Sequence, residues 1–170
     1  MTVVGFGGDL VAAGAAGGTT CSSSSGTATF KPALPVSGSK QKVKPTITVK
    51  RAKIRNCKGG GVTSGTFNST SKFHTGTNCD TLLAGKPSAH PPTGTITTKG
   101  NNGKSSTGTV KLNTVAGQPT QTHVTGKVTK GLFKGMKLSA TLQFAPKQGD
   151  CLTTPLNAVT FSLVGKLKIS

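Results

Sequence analysis

The acidic side chains of this sequence are Asp9, Asp80 and Asp150, with no Glu, so chemistry by paired carboxylates rests on Asp80 and Asp150, Asp9 lying in an N-terminal arm. Each stands beside a cysteine, in Asn78-Cys79-Asp80-Thr81-Leu82 and in Asp150-Cys151-Leu152. A Cys79–Cys151 bridge would bring the two carboxylates close, as a catalytic dyad requires. An Asp flanking a Cys at a strand end is first a turn residue, however, and we read both as turn caps. His74, His90 and His123 sit in no HxH, HExxH or nucleophile-elbow context. Lys58-Gly59-Gly60-Gly61-Val62 has the glycines of a phosphate loop, but a Thr-rich strand follows where a phosphate-binding helix should begin, so it reads as a tight turn. We expect no catalytic residue, no cofactor and no metal, and hence not an enzyme.

Cys21, Cys57, Cys79 and Cys151 are even in number, widely spaced and free of CxxC pairing. In a small chain that is the pattern of two structural disulfides made in an oxidising compartment. A zinc site is the rival reading, but no His falls at ligand spacing. Cys21 precedes one strand and Cys57 ends the next, so antiparallel pairing joins them. Cys79 and Cys151 share an Asn/Asp-Cys-Thr-Leu echo, which pairs the remaining two.

The elements that must position these residues are strands. Apolar residues are 32% of the chain, Trp and Tyr are absent, Gly numbers 24 and Thr recurs throughout, a composition for β-structure around a thin core. Met136, Leu138, Ala140, Leu142 and Phe144 alternate with polar residues, and Val159, Phe161, Leu163, Gly165, Leu167 and Ile169 repeat that pattern. Phe144 and Phe161 are therefore expected in the core. Weaker strands are expected at Thr27–Lys31, Thr46–Asn56, Val62–Phe73, Thr93–Lys99, Lys104–Val115 and Thr122–Thr129, with Gly100-Asn101-Asn102-Gly103 as a hairpin turn. Ile47 and Val49 share one parity while Ala52 and Ile54 share the other, and a β-bulge near Lys50-Arg51 would return all four to one face. Breaks between strands are expected at Pro32 to Pro35, Pro87 to Pro92, Pro119, Pro146 and Pro155. The fold class is all-β: an antiparallel β-sandwich of about eight or nine strands, with a closed β-barrel as alternative, stapled by two disulfides. Residues 1–20, ending near Ala13-Gly14-Ala15 and the spacer to Cys21, read as a truncated export signal (signal peptide) or a flexible arm, and 21–170 as a single domain. No stretch approaches the roughly twenty apolar residues of a membrane span.

Five stretches stand out together: Cys21 to Leu34, Asn56-Cys57-Lys58-Gly59-Gly60-Gly61-Val62-Thr63-Ser64-Gly65-Thr66-Phe67, Asn78-Cys79-Asp80-Thr81-Leu82, Gly131-Leu132-Phe133-Lys134-Gly135, and Asp150-Cys151 with Thr153-Thr154-Pro155-Leu156. On these residues the sequence resembles a group of uncharacterised secreted all-β proteins of actinobacteria. The resemblance implies export and a β-rich fold and brings no known activity.

Charge is the remaining signal: 21 Lys and Arg against three acids, a net +18. The densest run is Lys40, Lys42, Lys44, Lys50, Arg51, Lys53, Arg55 and Lys58. It reads either as a solvated face or lysine-guarded edge strand, or as a surface for polyanions. The expected role is a non-catalytic structural or binding module, secreted or on the cell envelope, with anionic cell-wall polymer as the partner. Arg occurs only at positions 51 and 55 and stacking Tyr and Trp are lacking, so specific nucleic-acid recognition is not expected. The rival classes are a secreted hydrolase with an unrecognised site and a nucleic-acid-binding or capsid-like jelly roll.

Overall fold

A computed structural model describes residues 17–170 apart from 86 and 87; the export-signal or arm reading of the N-terminal segment therefore lies, for residues 1–16, outside the described residues. The chain forms β1 (Thr19–Leu34), β2 (Thr46–Lys58), β3 (Gly65–Lys72), a short helix α1 (Cys79–Leu83), β4 (Thr93–Gly100), β5 (Ser105–Val115), β6 (Gln118–Gly131), β7 (Lys137–Gln148) and β8 (Leu156–Ile169). Each strand pairs antiparallel with the next in sequence, and β8 returns to pair with β1, closing an eight-stranded barrel. The all-β antiparallel class, the strand number and both disulfides are as the sequence indicates, and of the two architectures weighed the barrel is the one formed. The sequential strand order also differs from the crossed order of a jelly roll.

Closure follows from where the chain slips register. Arg51 adopts φ 50° between Val49 and Ala52, where the β2–β3 register shifts, and Asn68 Oδ1 accepts a hydrogen bond from the freed Arg51 N–H at 2.8 Å. This is the expected bulge: Ile47, Ala52 and Ile54 are buried and Val49 packs against them, while Arg51, Lys53 and Arg55 face out. Further shifts lie in the β1–β2, β1–β8, β5–β6 and β7–β8 pairings. Bulges bend strands and raise twist, which a sheet of eight strands needs to meet its own edge.

Several sequence readings change. Pro32, Pro119 and Pro146 lie inside β1, β6 and β7 rather than between strands. Pro32 and Pro146 sit where the pairing register breaks and Pro119 is the second residue of its strand, positions where the missing N–H costs no ladder bond. Gly165 is exposed with φ 75°, outside the inward row of β8. Phe161 is buried as expected, but Phe144 is only half-buried. The helix α1 has no counterpart in the sequence reading.

The two ends of the barrel are unlike. At one, the β2–β3, β4–β5 and β6–β7 hairpins are tight. Gly59, Gly60 and Gly61 all take positive φ in the expected turn, and Gly60 lies so close beneath the Phe133 ring that a Cβ there would strike it. Phe133 and Val62 are buried here beside the Cys21–Cys57 disulfide, whose cysteines face each other in the β1–β2 register. We call this the closed end. At the other, the mouth, the β1–β2, β3–β4 and β7–β8 connections are longer, and the Cys79–Cys151 disulfide ties α1 to the β7–β8 loop.

Candidate functional site

The eight-residue basic run is not one patch. Lys40, Lys42 and Lys44 lie in the β1–β2 connection at the mouth, Lys50 and Arg51 at the bulge, and Lys53, Arg55 and Lys58 toward the closed end; all eight are exposed. The 13-residue strand β2 alone spans about 40 Å, so the two ends of the run act on different surroundings. Nor is β2 an edge: β1 and β3 flank it, so lysine is not needed there to block edge pairing.

What the fold does assemble is a cationic pole. Lys58 and Lys168 flank Thr20 from β2 and β8, and Lys53 and Lys99 flank Thr66 from β2 and β4, each pair about 10 Å apart across one intervening strand. Lys104 in the β4–β5 turn, Lys134 in the β6–β7 turn and Lys166 on β8 are exposed at the same end. Lys127 and Lys137 stand directly opposite each other on β6 and β7, a like-charge pairing that is unfavourable without a counter-anion. Among the described residues no Asp or Glu lies at this end. Sequence reading missed the pole because its members come from five strands and two turns, and only strand register brings them together.

Both described acids are at the mouth, Asp150 in a turn and Asp80 on helix α1. Asp150 Oδ1 accepts from the N–H groups of Leu152, Thr153 and Thr154 at 2.8–2.9 Å, and Oδ2 from the Thr153 hydroxyl at 2.6 Å. The Thr153 hydroxyl and then the backbone amides hold the Asp150 carboxyl well below the usual carboxylate range. Asp80 Oδ2 accepts from Gly38 N at 2.7 Å, binding α1 to the β1–β2 connection, while Asn78 and Thr81 cap the helix reciprocally. The turn-cap reading holds for Asp150, whereas Asp80 lies in the first turn of α1 and ties that helix to a loop distant in sequence. His74 and His90 face each other at 5.1 Å between ring centroids, an approach the sequence does not reveal, and His123 Nδ1 lies 3.1 Å from Thr141 Oγ1 across the β6–β7 pair. Among the described residues, no three His, Cys, Asp or Glu side chains gather as metal ligands.

Inside the mouth lies an apolar cavity of about 110 Å³, walled by Phe30, Ile47, Phe73, Leu112, Phe144 and Leu156 with threonines on β5 and β6. A second space of about 60 Å³ continues into the barrel, and Ile47, Leu112 and Phe144 border both. The spaces exist because many inward positions are small: Ser24, Ala28, Ala52, Ser71, Ser106 and Ala140 are all buried. Eight strands enclose an interior just wide enough for side chains to fill, and small ones leave room. Ser24 and Ser71, 3% and 1% exposed, border the inner space with hydroxyls that have no hydrogen-bond partner among the described residues. An unpaired buried hydroxyl costs about 1–3 kcal/mol.

The outward faces of the strands carry Lys, Thr and Ser, the reverse of the apolar band on a lipid-facing barrel. Among the described residues no helix is long and apolar enough to cross a membrane. No protein-family model, curated protein or solved structure matches this chain.

Proposed function

We propose that this protein is a non-catalytic binding module of the cell exterior that attaches to anionic phosphate polymers of the cell envelope through its cationic pole. The observation that carries the reading is the closed end, free of Asp and Glu among the described residues, where lysines from separate strands converge and Lys127 directly opposes Lys137. Lysine offers charge without base-specific geometry, suiting a repeating phosphate backbone better than a defined nucleotide sequence. Two disulfides support work in an oxidising compartment, and the resemblance to secreted actinobacterial proteins points the same way. The commitment of both carboxylates to backbone amides, Asp150 in its own turn and Asp80 to Gly38, supports the non-catalytic part.

The test is retention on isolated cell-wall fractions, before and after chemical removal of their phosphate polymers, at low and high salt. Counterion release makes binding strong at low salt and weak at high salt, and phosphate removal abolishes it. Equal retention on stripped and intact walls would overturn the reading.

A further inference from the structure

The mouth cavity, the inner space and the unpaired Ser71 hydroxyl form a second site, independent of the cationic pole. Ser71 on β3 stands opposite Ile47 on β2, and Ile47 borders both spaces, so the hydroxyl lies at the level where they meet. Ser24 stands opposite Ile54, seven residues farther along β2, too far for one water to serve both hydroxyls. Ser69, on the same face of β3, is the one other hydroxyl bordering the inner space near Ser71, so a water there would find at most two polar partners among apolar walls, the lower limit for a stably buried water. An apolar molecule bearing one oxygen satisfies both demands: its carbon chain fills the cavity and its oxygen pairs with Ser71. Phe144, half-buried between the two spaces, is placed to turn aside for a linear chain.

We propose that the barrel takes up, through its mouth, a small linear aliphatic molecule with a single oxygen function, of the alcohol class, and pairs that oxygen with Ser71. An apolar cavity of about 150 Å³ holds a six-carbon ring, so the two spaces here hold a chain of about six to eight carbons. The threonines at 114, 120 and 122 rim the opening, and Leu82 and Leu83 of α1, held by the Cys79–Cys151 disulfide, form part of its wall.

Calorimetric titration with 1-alkanols tests this. Affinity should rise about fourfold per added CH2 up to 1-octanol and level off by 1-dodecanol, as further carbons leave the mouth. Ser71→Ala should weaken 1-octanol binding about tenfold while the free variant melts no lower than the parent, because it loses an unpaired buried hydroxyl. Thr122→Phe, which fills part of the mouth cavity, should weaken it by more than tenfold. Absence of saturable binding to the parent, affinity still rising at 1-dodecanol, or unchanged 1-octanol affinity in Ser71→Ala would each overturn the proposal. The Ser71 variant decides the matter even if Thr122→Phe fails to fold.

Discussion

Phe161 and Phe144 share one face of the β7–β8 pair, directly opposite each other with ring centroids 6.0 Å apart, yet they differ in what surrounds them. Phe161 also packs on Phe67 and is 4% exposed, so Phe161→Ala should cost about 3–5 kcal/mol in urea unfolding. Phe144→Ala should cost clearly less, because Phe144 borders open space on two sides; equal losses would contradict this placement. The shared parity was legible from alternation alone, whereas the half burial of Phe144 depends on small residues contributed by other strands. Asp150 makes a separate prediction. Its folded pKa lies below the ordinary 3.8, so the stability it contributes is fully present above that value and is lost as pH falls through it toward the folded value. Thermal melts between about pH 6 and pH 2 should show the parent losing stability more steeply at the acid end than Asp150→Asn. Parallel curves would mean that the four hydrogen bonds do not hold the charge as described.

Among the elements, β2 was the most legible because its apolar residues change parity at one place, and a chain that must keep Ile47 and Ile54 on one face has to insert a residue there. The sequence did not show that Asn68, on the neighbouring strand, takes up the N–H which the bulge releases. Asn68→Ala should lower stability by about 0.5–1 kcal/mol with the fold intact, checked by urea unfolding and amide exchange at Arg51. Unchanged exchange at Arg51 would contradict that role. The Ser-rich start of β1 was invisible because Cys21 to Gly26 lacks apolar alternation; pairing with β2 and β8 on both sides makes it a strand. The helix α1 is only five residues long, too short for a periodic pattern, and is set by its cap and disulfide. Both disulfide pairings were legible, one from strand adjacency and the other from the repeated Cys-Thr-Leu surroundings.

At the scale of the molecule, alternation cannot separate a sandwich from a barrel, since both present one apolar face per strand; the pairing of β1 with β8 decides it. The charge excess was legible as a total, but its distribution was not. The run from Lys40 to Lys58 is continuous in sequence and divided in space, while Lys53, Lys99 and Lys168 are distant in sequence and gathered at one end. The interior cavities were likewise hidden, because an empty volume is a property of eight facing walls. The proposed function requires that the closed end, rather than the mouth lysines, bind phosphate polymers. It is tested by titrating poly(glycerol phosphate) over a range of salt with the parent, a pole variant (Lys53→Gln, Arg55→Gln, Lys166→Gln and Lys168→Gln together) and a mouth variant (Lys40→Gln, Lys42→Gln and Lys44→Gln together). The pole variant, still folded, should lose at least tenfold in affinity at low salt and show a shallower salt dependence, while the mouth variant should stay within about threefold of the parent. Parent-like binding by the pole variant, or loss confined to the mouth variant, would contradict it.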